Sequence, residues 1–192
     1  RHGVFDFTAD SHATHDAGPL VDRRQLRVRP LWDLLGLHGR RAIVVTVPFT
    51  YPPAPLHGVM LCVGNVAEGP FRTSPPDLAA EILDRIGGYE ERHRHVVRAP
   101  EGPPSQAFTD DWIARCHYQA EKTTQATRYL MGAYPWDFLM ATLVITDRLQ
   151  HYFWRCMDPD HPAHDPQTPA RYRNVIREAY RKADASLGEI LQ

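Results

Sequence analysis

The chain has 192 residues, 43% of them apolar, with 22 basic and 23 acidic side chains that leave a net charge of −1. That length and apolar content suffice for the core of one domain or a large part of one. The near-neutral balance has no Lys/Arg run longer than a pair, which excludes a nucleic-acid polymer footprint, and the longest apolar stretch is about half the roughly 20 residues of a bilayer span.

Residues 1–30 are polar, rich in His, Asp and Arg, and lack a sustained period, so an irregular loop is predicted. Pro30 opens "PLWDLLGLHG", an amphipathic helix with Pro at its first position and Gly36 and Gly39 as stop signals. The β-branched run Ile43–Val47 in "RAIVVTVPF" predicts a buried strand closed by Pro48. "TYPPAPLHG" (50–58) is a proline-stiffened loop leading to a second apolar strand in "GVMLCVG" (58–64), and residues 65–76 are expected to be loop. "SPPDLAAEILDRIGG" (74–88) carries N-cap, early Pro, first-turn Asp and terminal Gly in helical order. A short edge strand is expected at Val96–Val97.

From about Thr109 to Met131, Trp112, Ile113, Cys116, Ala120 and Thr123 recur at helical spacing. "DFLMATLVIT" then reads as a strand through Thr146, "DRLQHYFWRCM" as a helix and "DPDHPAHDPQTP" as a loop. The closing helix, 169–191, puts Tyr172, Val175, Ile176, Ala179, Tyr180, Ala183, Leu187 and Ile190 on one face. Strands alternating with helices imply an α/β fold with a mostly parallel sheet. The three cysteines, Cys62, Cys116 and Cys156, are scattered and odd in number, which fits reduced thiols and a cytoplasmic setting. The opening "RHGVFDF" has no Met, so the chain is expected to be a piece of a longer protein, a single partial domain over 1–192.

One stretch carries chemistry. In "TDRLQHYFW" (146–154), Asp147 and His151 are four positions apart at the start of a helix that follows a strand. Residues i and i+4 share a helix face, and ligands in open α/β sheets gather at strand carboxyl ends. A carboxylate and an imidazole aimed at one point suit zinc or manganese. Two donors do not complete a site, and a dipole-stabilised Asp147 with a half-buried His151 is the plain alternative.

"TDRLQHYFW", with "HGVFDF" (2–7), "TYPPAPLHGVM" (50–60) and "YRKADASLGEIL" (180–191), resembles the type I phosphodiesterase/nucleotide pyrophosphatase family of the alkaline phosphatase superfamily. The resemblance covers nearly the whole chain. It implies an alkaline phosphatase-like α/β fold, mostly parallel and flanked by helices, incomplete in this chain as a central portion. It implies two divalent metal ions, zinc with manganese as the alternative, of which only part of one site lies here, held by Asp147 and His151. The implied activity is hydrolysis of a small phosphate ester through a covalent phosphoryl intermediate, with the nucleophile and remaining ligands outside the chain and the piece itself inactive. Tyr51 could line the substrate pocket, or "TYPP" could simply be a rigid turn.

Phe7 departs from the family's asparagine and cannot donate a hydrogen bond, which puts nucleotide specificity in question. His2 and Gly3 read as structural, "DPDHPAHD" (158–165) as a solvated loop because its prolines prevent helical alignment, and Tyr152–Phe153–Trp154 as core packing. A non-catalytic binding or structural module of the same superfamily is the alternative function, and a mutase or sulfatase a third. The oligomeric state is left open.

Overall fold

The computed structural model describes residue 4 and residues 21–62, 71–87, 89 and 106–192. The expected edge strand at Val96–Val97 lies outside them, as do His2, Gly3 and Phe7. The described residues gather into two compact units, the first holding those up to Tyr89 together with Tyr129–Thr142, the second residues 106–128 together with Leu143–Gln192.

The first unit is built on a sheet. Strand β1 (Ala42–Val45) is fully buried along its length, as the continuous β-branched run requires of a strand covered on both faces. Strand β2 (Gly58–Cys62) pairs parallel to it, from Ala42 opposite Gly58 to Val45 opposite Leu61. Strand β4 (Phe138–Ala141) pairs parallel on the other side, from Ala42 opposite Phe138 to Val45 opposite Ala141. Strand β3 (Arg72–Ser74) runs antiparallel to β2, giving the order β3-β2-β1-β4. Helix α1 (Leu31–Leu37) packs on β1, and helix α2 (Leu78–Ile86) packs on β3. The architecture is therefore α/β with a mostly parallel sheet and flanking helices, of the alkaline phosphatase-like kind expected.

Period-two alternation turns Ala42 and Val44 toward one face, where they join Trp32, Val47, Met60 and Cys62, with Tyr51, Leu56 and Phe138 packed at the edge of the cluster. The carboxyl ends of β1, β2 and β4 are tied together just past Val45. The Thr46 amide donates to the Leu61 carbonyl at 2.8 Å, the Thr142 amide to Val45 at 3.1 Å, and the Thr46 hydroxyl to the Thr142 carbonyl at 2.7 Å. Thr46 (φ 54°) and Phe49 (φ 60°) both take left-handed backbone here, a conformation costing a residue with a Cβ about 1–2 kcal/mol.

Three expectations are corrected in this unit. Residues 72–74, taken as loop, form β3, which supplies hydrogen bonds to the edge of β2 with only Thr73 facing inward. Ser74 therefore ends a strand and does not cap α2, which starts after Asp77 and closes as expected at Gly87, φ 60°. Pro30 occupies the N-cap of α1 and not its first turn.

The second unit is helical. It contains residues 106–128 of helix α3 (Gln106–Ala133), with α4 (Ile145–Met157), α5 (Ala170–Arg173) and α6 (Val175–Ile190). Helix α4 buries Ile145, Leu149, Phe153 and Cys156 and packs against α5 and α6. That face explains why the strand predicted to reach Thr146 stops at Ala141: Ile145 begins a 4-4-3 apolar spacing, so the end of the apolar run serves a helix. The Trp112 and Tyr152 rings meet edge-on at 5.7 Å, and Tyr172 donates its hydroxyl to Asp110 at 2.9 Å. Buried Thr124 and Thr127 satisfy their hydroxyls on the carbonyls of Ala120 (2.8 Å) and Thr123 (2.7 Å), one turn back.

The closing helix predicted over 169–191 is broken at Asn174, whose ψ of −5° departs from helical values and separates α5 from α6. Tyr180 and Leu187, placed by periodicity on its inner face, are 54% and 52% exposed.

Candidate metal centre

The chain leaves β4 at Ala141 and enters α4 at Ile145, so the first turn of α4 follows a strand's carboxyl end after a link of three residues, 142–144. Asp147 lies in that first turn, where its charge complements the helix dipole. His151 lies one turn on. Its Nε2 is 3.4 Å from Asp147 Oδ1, and the two side chains are 74% and 70% exposed. The two heads thus converge on one point on the solvent side of α4, while Leu149 and Phe153 turn inward.

This spacing bears on what the pair can hold. Two donors bound tetrahedrally at about 2.1 Å from one zinc ion are themselves about 3.4 Å apart, so the observed separation fits two neighbouring vertices of such a site. The donor set is right as well, an imidazole nitrogen and a carboxylate oxygen. Exposure leaves both groups open to further ligands from elsewhere. Among the described residues no cluster of three His, Cys, Asp or Glu side chains gathers, so the pair fits a divalent ion as a partial site only.

The other acidic and His-rich stretch, 158–165, is folded into turns that use its donors and acceptors locally. His161 Nδ1 accepts from the Ala163 amide at 3.0 Å, and His164 Nδ1 sits 2.8 Å from the Arg155 carbonyl. Asp158 accepts from the Asp160 amide and Asp165 from the Gln167 amide. The solvated-loop reading agrees with this arrangement. The aromatic trio beside the pair is divided: Phe153 is buried, whereas Trp154 is 44% exposed and donates its indole N–H to Asp158 at 3.1 Å. Core packing, expected for all three, does not extend to Trp154.

Tyr51 lies in the first unit, half-buried against the Trp32–Met60 cluster. The Arg72 guanidinium carbon stands 5.8 Å from its ring centroid, and the Tyr51 carbonyl accepts from the Arg23 amide at 2.9 Å. Arg24, held in its charged form first by its hydrogen bond to Asp22, also feels Tyr51. The ring is therefore part of a packed, cationic setting. Sequence periodicity could not signal the gathering of these arginines, because a 3-10 turn and an antiparallel edge strand bring them together from unrelated stretches.

The mostly parallel sheet with its flanking helices is the α/β core of an alkaline phosphatase-like fold. The model of the type I phosphodiesterase / nucleotide pyrophosphatase family matches residues 1–192, and the chain belongs to that family. Its members are hydrolases of small phosphate esters and are generally metal-dependent. Neither a curated protein nor a solved structure matches the chain. No helix among the described residues is long and apolar enough to cross a membrane.

Proposed function

We propose that the chain is part of a metal-dependent phosphohydrolase of the phosphodiesterase or nucleotide pyrophosphatase type. In the intact protein, Asp147 and His151 would supply two ligands of one of two divalent sites, zinc or manganese. The observation that carries this is the 3.4 Å convergence of Nε2 and Oδ1 on the open side of α4. When bound, such ions supply positive charge that lowers the pKa of a coordinated oxygen and offsets charge developing on phosphoryl oxygens.

The chain's own groups have narrower duties. Asp147 brings a negative charge, already favoured by its helix position, so that cation binding there neutralises a solvated carboxylate. His151 must present Nε2 unprotonated, which couples ligation to proton release. Tyr51 would line the substrate pocket with a ring fixed by packing and by Arg72. The nucleophile that carries the covalent phosphoryl group would come from outside residues 1–192, and the isolated chain would be inactive.

The test is metal analysis of the full-length protein beside its Asp147→Ala/His151→Ala variant, with hydrolysis of p-nitrophenyl phosphate esters measured in parallel. Loss of bound ion and of turnover supports the reading. Equal metal content in the two proteins refutes the ligand assignment. The presence of only two converging donors among the described residues favours, as a second reading, a non-catalytic module of the same superfamily, in which the full-length protein would bind no stoichiometric metal at all.

A further inference from the structure

We infer that the arginine-lined cavity formed by residues 23–33 is a binding site for a small phosphate-bearing anion. The cavity holds about 450 Å³, and Arg23, Arg24, Arg27, Arg29 and Asp33 are among the residues that line it. That volume falls in the usual range of about 300–1,000 Å³ for small-molecule sites.

Among the described residues, the charge in the cavity is only partly paired. Arg24 is taken by Asp22, whose Oδ2 accepts from Nε at 2.9 Å. The side chains of Arg23, Arg27 and Arg29 make no ion pair among the described residues. Four guanidinium groups against the carboxylates of Asp22 and Asp33 leave two positive charges in excess, 4 − 2 = 2. A multiply charged phosphoryl anion such as pyrophosphate answers that excess, and guanidinium forks suit its several oxygens with paired N–H donors. A single carboxylate would leave one charge unanswered.

The backbone that carries these arginines is fixed. Asp22 and Gln25 form a reciprocal capping box around the 3-10 turn Arg23–Gln25, with the Arg24 amide on Asp22 at 2.7 Å and the Asp22 amide on Gln25 Oε1 at 2.9 Å. The Leu26 amide donates to Arg23 at 3.1 Å, and the Arg23 amide to Tyr51 at 2.9 Å. Pro30 then sets the start of α1, whose first turn brings Asp33 to the cavity. Fixed stems reduce the ordering cost of gathering several long side chains on one ligand. Asp22 thus acts as a positioning residue: it neutralises one arginine and holds the turn that presents the others.

The site needs neither metal nor turnover, so its test is independent of the hydrolase reading. Inorganic pyrophosphate is titrated calorimetrically into the 192-residue chain in the presence of a chelator, at fixed ionic strength. Saturable one-to-one binding is expected, weakened at least ten-fold in Arg27→Ala/Arg29→Ala, whose exposed positions leave the melting temperature unchanged. Arg23→Ala alone is expected to weaken it by a smaller factor and guards against a folding defect in the double variant. The inference is overturned if the chain binds no pyrophosphate, if the variants bind as tightly as the parent, or if sodium sulfate at matched ionic strength gives the same heats.

Discussion

His151 Nε2 stands 3.4 Å from Asp147 Oδ1 across one turn of α4, with both side chains open to solvent. An exposed contact of this kind contributes roughly 0–1 kcal/mol to stability, so the fold should lose little without it. The double replacement Asp147→Ala/His151→Ala should leave metal-free thermal unfolding within about 3 °C of the parent, given about 2–4 °C per kcal/mol for a chain of this size. In the full-length protein the same variant should lose bound ion and bring turnover to background. Calorimetric scans and metal analysis on the same samples check both halves. A large fall in the melting temperature would instead assign the pair to structure.

Gly58 sits opposite Ala42 with φ 139°, and a Cβ there would lie 1.9 Å from the Ala42 carbonyl oxygen and 2.7 Å from its amide nitrogen. These atoms are central-strand backbone and cannot step aside without breaking the β1–β2 ladder. Gly58→Ala should therefore cost about 4 kcal/mol or more, at the upper end of single-substitution effects, and yield mostly insoluble chain. Gly39, also at positive φ but with nothing near a Cβ, provides the contrast. Its alanine variant should lose only about 1–2 kcal/mol, the left-handed backbone cost alone. Urea midpoints of the soluble fractions decide the comparison.

The cysteines should behave as packed apolar groups. Burial pushes the thiols of Cys62 and Cys116 up to about 11, and the Cys62 thiol donates to the Thr50 carbonyl at 3.3 Å. At pH 8 a thiol of that kind is ionised at roughly one part in a thousand, and only the thiolate reacts. Iodoacetamide at pH 8 should leave both unmodified over hours in native protein and label all three cysteines within minutes in urea. Rapid native labelling at Cys62 would show that the core cluster opens readily.

The Asp22 carboxyl is held below the usual carboxylate range, chiefly by its hydrogen bonds from the Arg24 side chain. Its folded pKa is thus lower than its unfolded one. The pair's contribution is present above the unfolded value of about 4 and is lost as pH falls through the folded value. Asp22→Asn should flatten the acid limb of stability below about pH 4 and loosen pyrophosphate binding by unpinning the turn. Denaturant midpoints taken from about pH 6 to pH 3 check the first effect.

What could be read from the sequence followed the strength of its periods. The fully buried β1 was visible as a β-branched run, and the α4 pair as an i, i+4 spacing. β4 was overextended because Ile145 continues the apolar run while starting a helix face, and an apolar run of that length is ambiguous between the two. β3 left no trace, since Arg72, Thr73 and Ser74 carry no hydrophobic alternation and pair only because β2 offers an open edge. Tyr180 and Leu187 were misread because the buried stripe of α6 runs through the small residues Ala179 and Ser186, each one position earlier, which carry little hydrophobic signal. The arginine cavity was hidden for a different reason: its members follow no repeat, and a capping box gathers them.

The parallel strands β1 and β2 are joined by residues 46–57 without a helix, close to the shortest length, about a dozen residues, at which a chain can return to run alongside itself in the same direction. Within that link Tyr51 is held from two directions, its carbonyl accepting from the Arg23 amide at 2.9 Å and its ring packed on the Trp32–Met60 cluster. A change of length there would therefore displace the ring and the entry to β2 together.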